Sequence, residues 1–365
     1  MAGRTMRAAV YRGPGRVEVE DLPVPEVGPG EILLAVDVCG VCPTDIKKIQ
    51  KGLLQPPRVF GHEMAGRVAA VGAGVAPYRE GDRIVAHHHV PCGDCFYCER
   101  KLYAQCAGYK RNGTTAGFEP AGGGFAEYVR VMDWVVTRGV VRIPDDVRSE
   151  EAAFVEPVNT CLKAVDVAGI GRGETVLVVG QGPIGLLLSQ IAHARGADVL
   201  ASDVLADRLA LAERLGVRRT LDARNGVVEA VRSATAERGA DCALLAAPGQ
   251  GAFDQALASV RPGGRVMVFS ATSPGETAVV DLGPLCTSER RILTAYSSSI
   301  DLQDEAAEMV FSRRVRVAEL ISDRFPLEAA AQAIARVAEP SPGTLKAMVE
   351  MTPGAGGCQG PGRAQ

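Results

Sequence analysis

Near its middle, at residues 176–185, the chain has the sequence VLVVGQGPIG. The apolar run at its start has the length of a buried strand, and the residues that follow have the apolar spacing of a helix. Between them, Gly180-x-Gly182-x-x-Gly185 matches the dinucleotide-binding fingerprint, in which the glycines permit a tight turn, the approach of a pyrophosphate and close helix–strand packing. The cofactor phosphates would lie on backbone N–H groups at the helix N-terminus. The predicted cofactor-binding residues of this turn are Gly180, Gly182, Pro183, Ile184 and Gly185.

An acidic residue follows at the position that such a site requires. Asp203 comes at the end of the next predicted strand, Asp198–Ser202, where its carboxylate can accept hydrogen bonds from both ribose hydroxyls. The same carboxylate would repel a 2′-phosphate, so NAD is favoured over NADP. Arg208, in the next predicted helix, is a candidate to cover the adenine, although a plain surface charge explains it equally well. The alternative is a glycine-rich turn in an α/β domain that binds no nucleotide, and the acid at the end of the next strand favours the dinucleotide site.

The pattern around this turn predicts an α/β unit. Helices and strands alternate from Thr160–Ala168 onward, through Thr175–Val179, Ile184–Arg195 and Ala206–Leu215. Such alternation indicates a parallel sheet with right-handed crossovers. The first 150 residues instead have mostly the patterns of strands and turns, which indicates a compact β-rich unit. The Gly- and Pro-rich tail at 352–365 is expected to be disordered.

Composition narrows the class of protein. The chain has 365 residues, enough for two domains, with 47% hydrophobic residues, 42 glycines and 22 prolines. A formal charge of −3 with no basic block gives no support for a nucleic-acid partner. No apolar run reaches membrane-spanning length, and the N-terminus lacks the apolar core of a signal peptide. We therefore expect a soluble cytoplasmic protein.

Four of the ten cysteines are crowded into one segment, residues 92–106. Their spacing, Cys92-x2-Cys95-x2-Cys98-x7-Cys106, lets one loop surround a tetrahedral Zn²⁺. A site with four protein ligands leaves no open position, so its role would be structural. An iron–sulfur cluster and a zinc-ribbon nucleic-acid module are the alternatives, and the short lobe inside a larger domain favours zinc.

A second set of possible metal ligands is distributed over three segments. Cys39 and Cys42 follow an apolar strand, His62-Glu63 begins twenty residues after Cys42, and Glu156 stands before Pro157. Cys, His and carboxylate ligands could form a three-ligand zinc site that keeps one position open for water or substrate. Taken singly, these residues have ordinary explanations, and Cys39 with Cys42 could also be a redox pair.

The run His87-His88-His89 holds three of the five histidines. Neighbours in a strand point to opposite faces, so the three rings cannot converge on one ion. A structural role or a place at the edge of a cleft is the better interpretation.

Together these motifs resemble the zinc-dependent medium-chain dehydrogenases, and most of all the sorbitol, polyol and threonine dehydrogenases among them. The resemblance extends to about Met351, and the motifs occur in the family's order. It implies a GroES-like β-rich catalytic domain, with the structural zinc lobe at 92–106, joined to a Rossmann domain with a doubly wound parallel sheet. The corresponding bounds are 1–157 and 296–351 for the catalytic domain and 158–295 for the Rossmann domain.

The resemblance also implies roles for the dispersed residues. Cys42 and His62 would bind the catalytic zinc, Glu63 would ligate it or exchange with water, and Glu156 would bind it directly or through water. Asp45 would orient His62 by accepting its hydrogen bond. Cys161 is a rival ligand, although it is expected on the following helix.

The resemblance gives weaker support for residues that contact the cofactor and for residues that carry away the proton of the substrate hydroxyl. Ser270 and Tyr296 fall where the family contacts nicotinamide or substrate, and Lys346 resembles a late basic residue that reaches the cofactor phosphates. Thr44 can begin a proton relay through its hydroxyl. Many relatives have a histidine at the position of Lys47, so the onward route of the proton is open.

The resemblance implies hydride transfer between a secondary alcohol (a polyol, sugar alcohol or amino alcohol) and NAD, with two zinc ions per chain in a homodimer or homotetramer. Two alternatives remain. A zinc-free quinone or enone reductase on the same scaffold would usually lack Cys42, His62 and the four-cysteine set. A non-enzymatic zinc- or nucleotide-binding protein would not need an open metal site.

Overall fold

The fold is described from a computed structural model of the chain, which covers residues 3–109, 111–269 and 275–351. Two predictions, the role of Ser270 and the disorder of the tail at 352–365, lie outside these residues. No helix within them is both long and apolar enough to cross a lipid bilayer.

Strands dominate the first part of the chain, as its alternating pattern predicts. The elements are β1 (Thr5–Gly13), β2 (Arg16–Pro23), β3 (Ile32–Gly40), α1 (Pro43–Lys51), β4 (Arg58–Val59), β5 (Glu63–Val71), β6 (Arg83–Ala86), β7 (Thr114–Thr115), β8 (Tyr128–Val131), α2 (Asp133–Arg138) and β9 (Val140–Arg142).

Helices and strands alternate in the second part, as predicted. The elements are α3 (Ser149–Ala152), α4 (Val155–Ala168), β10 (Thr175–Val179), α5 (Pro183–Ala194), β11 (Asp198–Asp203), α6 (Ala206–Arg214), β12 (Arg219–Asp222), α7 (Val227–Ala234), β13 (Ala240–Leu245), α8 (Gln250–Ser259), β14 (Val260–Val268), α9 (Leu282–Thr287) and β15 (Arg291–Thr294). The chain closes with α10 (Gln303–Phe311), β16 (Ile321–Pro326), α11 (Ala330–Ala338) and β17 (Lys346–Glu350).

The second part forms a six-stranded sheet in the order β12-β11-β10-β13-β14-β15, with every pair parallel. The central strand β10 is apolar and buried because helices cover both faces of such a sheet. Val179 pairs with Ser202 and with Leu245, so the ends of three strands meet at one edge. The strand order reverses beside β10, where α/β sheets of this kind bind their ligands.

The first part forms a three-stranded sheet, β2-β1-β4, and an eight-stranded sheet whose main path is β16-β17-β3-β5-β6-β9. Gly40, at the end of β3, pairs with Glu63 of β5 and with Met348 of β17. Three distant segments therefore meet at the end of β3, just before Cys42. The predicted domain bounds stay a prediction, and the return of β16 and β17 to this sheet favours them.

Candidate active site

The glycine-rich turn has the predicted form. Gly180 ends β10 with φ of 91°, a left-handed conformation that glycine adopts without strain. Gly182 is the N-cap of α5, and a Cβ at this position would meet only Arg208 Nη1, at 3.8 Å. A Cβ on Gly185, by contrast, would overlap the carbonyl oxygen of Gly180. The turn therefore leaves an open backbone cradle before α5, which fits a pyrophosphate.

The Gly185→Ala variant is expected to lower the free energy of unfolding by about 1–3 kcal/mol, since the new methyl group must push α5 away from β10. Urea unfolding would measure the change. Gly171→Ala is the matched control, because a Cβ at Gly171 meets nothing within 4 Å. Equal stability of the two variants would contradict the close packing of helix and strand.

Asp203 and Arg208 lie together beside this turn. The Asp203 carboxylate accepts hydrogen bonds from the backbone N–H groups of Gln181, at 2.6 Å, and Leu205, at 2.9 Å. Arg208 Nη1 lies 3.8 Å from Asp203 Oδ2. The end of β11 and the first turn of α6 thus bring one carboxylate and one guanidinium to the same edge of the sheet.

The four cysteines of residues 92–106 are brought together as predicted. The Sγ atom of Cys98 lies 3.8 Å from that of Cys92 and 3.5 Å from that of Cys95, and Cys106 Sγ lies 3.4 Å from Cys92 Sγ. All four sulfur atoms lie within 4.8 Å of one another. Four thiolates around one Zn²⁺ at about 2.3 Å each stand about 3.8 Å apart, so the cluster fits a tetrahedral zinc ion.

A second group joins residues from α1 and β5. Ligand atoms of Cys42, His62 and Glu63 all lie within 4.8 Å of one another. His62 Nδ1 lies 3.1 Å from Asp45 Oδ2, which leaves Nε2 for a metal ion. Asp45 is 1% exposed and also accepts a hydrogen bond from the backbone of Gly61. Asp45 therefore holds the imidazole in place, as predicted from the resemblance.

The negative charges around His62 favour a positive charge at this position, either on the imidazole itself or on a bound metal ion. Burial alone would lower the pKa of His62, but the negative charges of Asp45 and Cys42 raise this pKa well above 6.5. Burial likewise opposes the ionised form of Asp45, and the charge of His62 lowers the pKa of Asp45 in spite of it. One thiolate, one imidazole and one carboxylate in a buried pocket form a donor set that suits Zn²⁺.

Lys346 lies at this metal site, a position that sequence patterns do not indicate. Its Nζ atom lies 2.8 Å and 2.7 Å from the two carboxylate oxygens of Glu63, and both side chains are 3% exposed. Burial alone would lower the pKa of Lys346, but the nearby negative charges, chiefly that of Glu63, together outweigh this effect, so the pKa of Lys346 is raised overall. The structure thus brings Lys346 to Glu63, and its contact with cofactor phosphates stays a prediction. The register of β17 on β3, which creates the pair, is a tertiary property.

Glu156 lines the same cavity but stands apart from the three-residue ligand group. It lies in the first turn of α4, with Thr160 Oγ1 at 3.4 Å and His88 Nδ1 at 3.8 Å from Oε1. Burial raises the pKa of Glu156 to about 7. Cys161, the rival ligand, is fully buried on α4 and belongs to neither ligand group.

Neither Cys39 nor the run His87-His88-His89 belongs to a group of possible metal ligands among the described residues. Cys39 is a free, fully buried thiol in β3, so its pairing with Cys42 in a disulfide is not observed. His87 is held by Gln303 at 2.9 Å and Ser298 at 3.1 Å, and burial lowers its pKa to about 4. His88 and His89 line the cavity, which agrees with the predicted place at the edge of a cleft.

A single cavity of about 760 Å³ connects the metal ligands to the end of the parallel sheet. It is lined by Cys42, Thr44, His62 and Glu156 on one side and by Ile184 and Ala246 on the other. Tyr296, 43% exposed, also lines it, and its contact with nicotinamide or substrate stays a prediction. Lys47 lines it too, and its Nζ atom lies 2.9 Å from Glu276 Oε1. The cavity can therefore hold a small alcohol between a metal ion and a nicotinamide.

Family models and relatives agree with this geometry. Residues 28–145 match the alcohol dehydrogenase GroES-like domain, and residues 183–312 match the zinc-binding dehydrogenase family. The sorbitol dehydrogenase of Bacillus subtilis (strain 168) is 29% identical over 354 residues, covering 95% of this chain and 97% of that relative.

Two further proteins match along nearly their whole length. The D-arabitol-phosphate dehydrogenase of Enterococcus avium is 30% identical over 361 residues, covering 96% of this chain and 99% of that relative. A structure from Sinorhizobium meliloti 1021, solved bound to NADP, has a TM-score of 0.85 at 30% identity and covers 95% of this chain and 99% of its own.

The predicted resemblance and the predicted fold are thereby confirmed. The GroES-like and zinc-binding models occur in sequence order, over the β-rich part and the parallel sheet respectively. The chain belongs to the zinc-type medium-chain dehydrogenase family, whose matched members are alcohol and polyol oxidoreductases.

Proposed function

We propose that this protein is a zinc-dependent dehydrogenase that oxidises a secondary alcohol of the polyol, sugar alcohol or amino alcohol class with NAD. The observation that carries the proposal is the cavity, which joins the Cys42, His62 and Glu63 donors to residues at the end of the parallel sheet. In this cavity a hydroxyl-bearing carbon at the donors and a nicotinamide at the end of the sheet can meet.

Cys42 and His62 would hold the catalytic zinc, with Glu63 or Glu156 completing its ligands, and the four cysteines of the lobe would hold a structural zinc. When bound, zinc lowers the pKa of an alcohol hydroxyl by Lewis acidity, and NAD accepts the hydride. Glu63 already pairs with Lys346, which makes it a ligand that can exchange between the ammonium group and a metal ion.

The chain's own residues would orient the alcohol and remove its proton. Thr44 lines the cavity from the first turn of α1, where its hydroxyl can accept the proton and pass it to water. Lys47 lies next to it but donates to Glu276, so we place the onward route in water. Glu156, with its pKa near 7, can hold a hydroxyl group of a polyol in either protonation state.

The two alternative functions predict different metal content. A zinc-free quinone or enone reductase would not need the donor set of Cys42, His62 and Glu63, and a binding protein would not need a cavity leading from it to the nucleotide turn. Both features favour the dehydrogenase.

The experiment is NADH formation by the purified protein with sorbitol, xylitol, threonine, butanediol and ethanol, with and without a metal chelator. Turnover that the chelator removes and zinc restores is the expected result. Turnover that persists after complete loss of zinc would overturn the mechanism, and a protein that retains two zinc ions yet oxidises no alcohol would favour a binding role.

Asp203 provides the test of cofactor choice. Because its carboxylate would repel a 2′-phosphate while Arg208 lies only 3.8 Å away, Asp203→Ser is expected to move preference from NAD toward NADP by about tenfold or more. The measurement is kcat/KM for both cofactors. Arg208→Gln in the same background should reverse the shift, and a wild-type preference for NADP would refute NAD linkage.

We also propose a cytoplasmic homodimer or homotetramer. None of the nine described cysteines is paired in a disulfide, which favours a reducing compartment, and the assembly follows the family resemblance. Light scattering after size-exclusion chromatography would measure the oligomeric state.

A further inference from the structure

Each carboxylate that lines the cavity has a close polar or cationic partner in the described part of the chain. The pairings are Asp45 with His62, Glu63 with Lys346, Glu276 with Lys47, and Glu119 with the backbone N–H groups of Val59 and Ala116. Glu156 Oε1 lies 3.8 Å from His88 Nδ1 and accepts a hydrogen bond from Thr160 Oγ1 at 3.4 Å. These carboxylates are therefore already engaged by other groups of the protein.

Arg58 is different, because no carboxylate in the described part of the chain lies close enough to form an ion pair with its guanidinium group. It lies in β4 and lines the cavity, half-buried. Its Nε donates to the backbone oxygen of Gln55, at 3.1 Å. Among residues 3–109, 111–269 and 275–351, no carboxylate lies within 4.0 Å of its guanidinium nitrogens. A guanidinium fork in this state can still bind an anion through two N–H groups.

Lys48 adds a second cationic group to the same cavity. Its Nζ atom lies 4.0 Å from Asp45 Oδ1, while Asp45 is already paired with His62 through its other oxygen. A distance of 4.0 Å is longer than a hydrogen bond, so the ammonium group of Lys48 can still donate to an anion in the cavity. Lys48 lies on α1 one turn after Thr44, on the wall that would face a bound alcohol.

The spacing along the chain limits the distance between Arg58 and the metal donors. Arg58 precedes the metal donor His62 by four residues, so their Cα atoms are at most about 14 Å apart. An alcohol of a few carbons, with its hydroxyl at the metal donors, places its far end within reach of the long arginine side chain.

We infer that the natural alcohol carries an anionic group, a phosphate or a carboxylate, at the end away from the zinc site, and that Arg58 and Lys48 bind this group. The inference rests on the proposed function and narrows its substrate class. A neutral polyol would leave the guanidinium of Arg58 without an anion inside the cavity.

The test compares anionic alcohols with their neutral parents in the zinc-loaded, full-length protein. One arm uses sorbitol 6-phosphate and xylitol 5-phosphate against sorbitol and xylitol, and the other uses 3-hydroxybutyrate against 2-butanol. We expect kcat/KM for one anionic arm to exceed that of its neutral parent at least tenfold, chiefly through a lower KM. The arm that shows the preference identifies phosphate or carboxylate as the group.

The variants Arg58→Gln and Lys48→Gln assign the preference to these side chains. Each should reduce the anionic-to-neutral ratio of kcat/KM about tenfold to a hundredfold, as expected for a charge-assisted hydrogen bond. Lys51→Gln, an exposed lysine at the end of the same helix, is the matched control and should keep the ratio.

Two results would overturn the inference: neutral alcohols used as well as anionic ones, or a ratio that Arg58→Gln leaves unchanged. Both leave the proposed function intact, because alcohols are still oxidised. Absence of zinc-dependent turnover with every alcohol would instead refute the proposed function, and the inference with it.

Discussion

Cys42→Ala is expected to reduce zinc from two ions per chain to one and to lower kcat/KM for alcohol oxidation at least about a thousandfold. Cys42 supplies the only thiolate of the mixed donor group, since the other cysteines of the described ligand groups all lie in the lobe. Loss of a thousandfold corresponds to about 4 kcal/mol of transition-state stabilisation, within the range that a Lewis-acid metal provides.

Metal analysis and steady-state kinetics on the same preparation measure this result. Cys161→Ala is the control, because Cys161 is a buried thiol on α4 and the rival candidate for a zinc ligand. It should keep both zinc ions. If Cys161→Ala loses a zinc ion and Cys42→Ala keeps two, Cys161 rather than Cys42 is the thiolate ligand of the catalytic zinc.

Lys346→Met is expected to lower the free energy of unfolding of the zinc-free protein by about 3–5 kcal/mol. The substitution leaves the Glu63 carboxylate, 3% exposed, without its ammonium partner, and an unpaired buried charge is costly. Methionine keeps most of the apolar volume of lysine, so the decrease in the free energy of unfolding measures the effect of removing the positive charge. Urea unfolding of the zinc-free protein measures the change.

Two comparisons give this prediction its specificity. The double variant Glu63→Gln, Lys346→Met removes both charges and should be more stable than Lys346→Met alone. Zinc should restore part of the stability of Lys346→Met, because a metal ion at Cys42 and His62 gives Glu63 another cation. A loss below about 1 kcal/mol in the zinc-free protein would show that Glu63 does not depend on Lys346.

Local patterns are sufficient to predict the glycine turn and the cysteine lobe. Both depend on residues close together in the chain, so spacing alone constrains their geometry. The parallel sheet follows for a similar reason, since each strand–helix unit has its own periodicity. Strand β10 has the predicted bounds, Thr175–Val179.

Other features depend on contacts that periodicity does not reveal. Helix α4 begins at Val155, five residues before the predicted start, because Pro157 is compatible with the first turn of a helix. Glu156 therefore lies in the first turn of a helix rather than in a loop between the two domains. The ion pair of Lys346 and Glu63 arises from the pairing of β17 with β3, and the charge environment of Arg58 depends on which side chains surround it.

The late return of β17 to the sheet of β3 also bears on how the protein is made. The ligands of the lobe lie within residues 92–106, so this centre can form as soon as that short segment leaves the ribosome. The centre at Cys42 and His62 gains its Lys346 neighbour only when almost the whole chain has been synthesised. Closing so long a loop is entropically costly and slow. The lobe is therefore expected to reach its final surroundings early in biogenesis, and the centre at Cys42 and His62 only at the end.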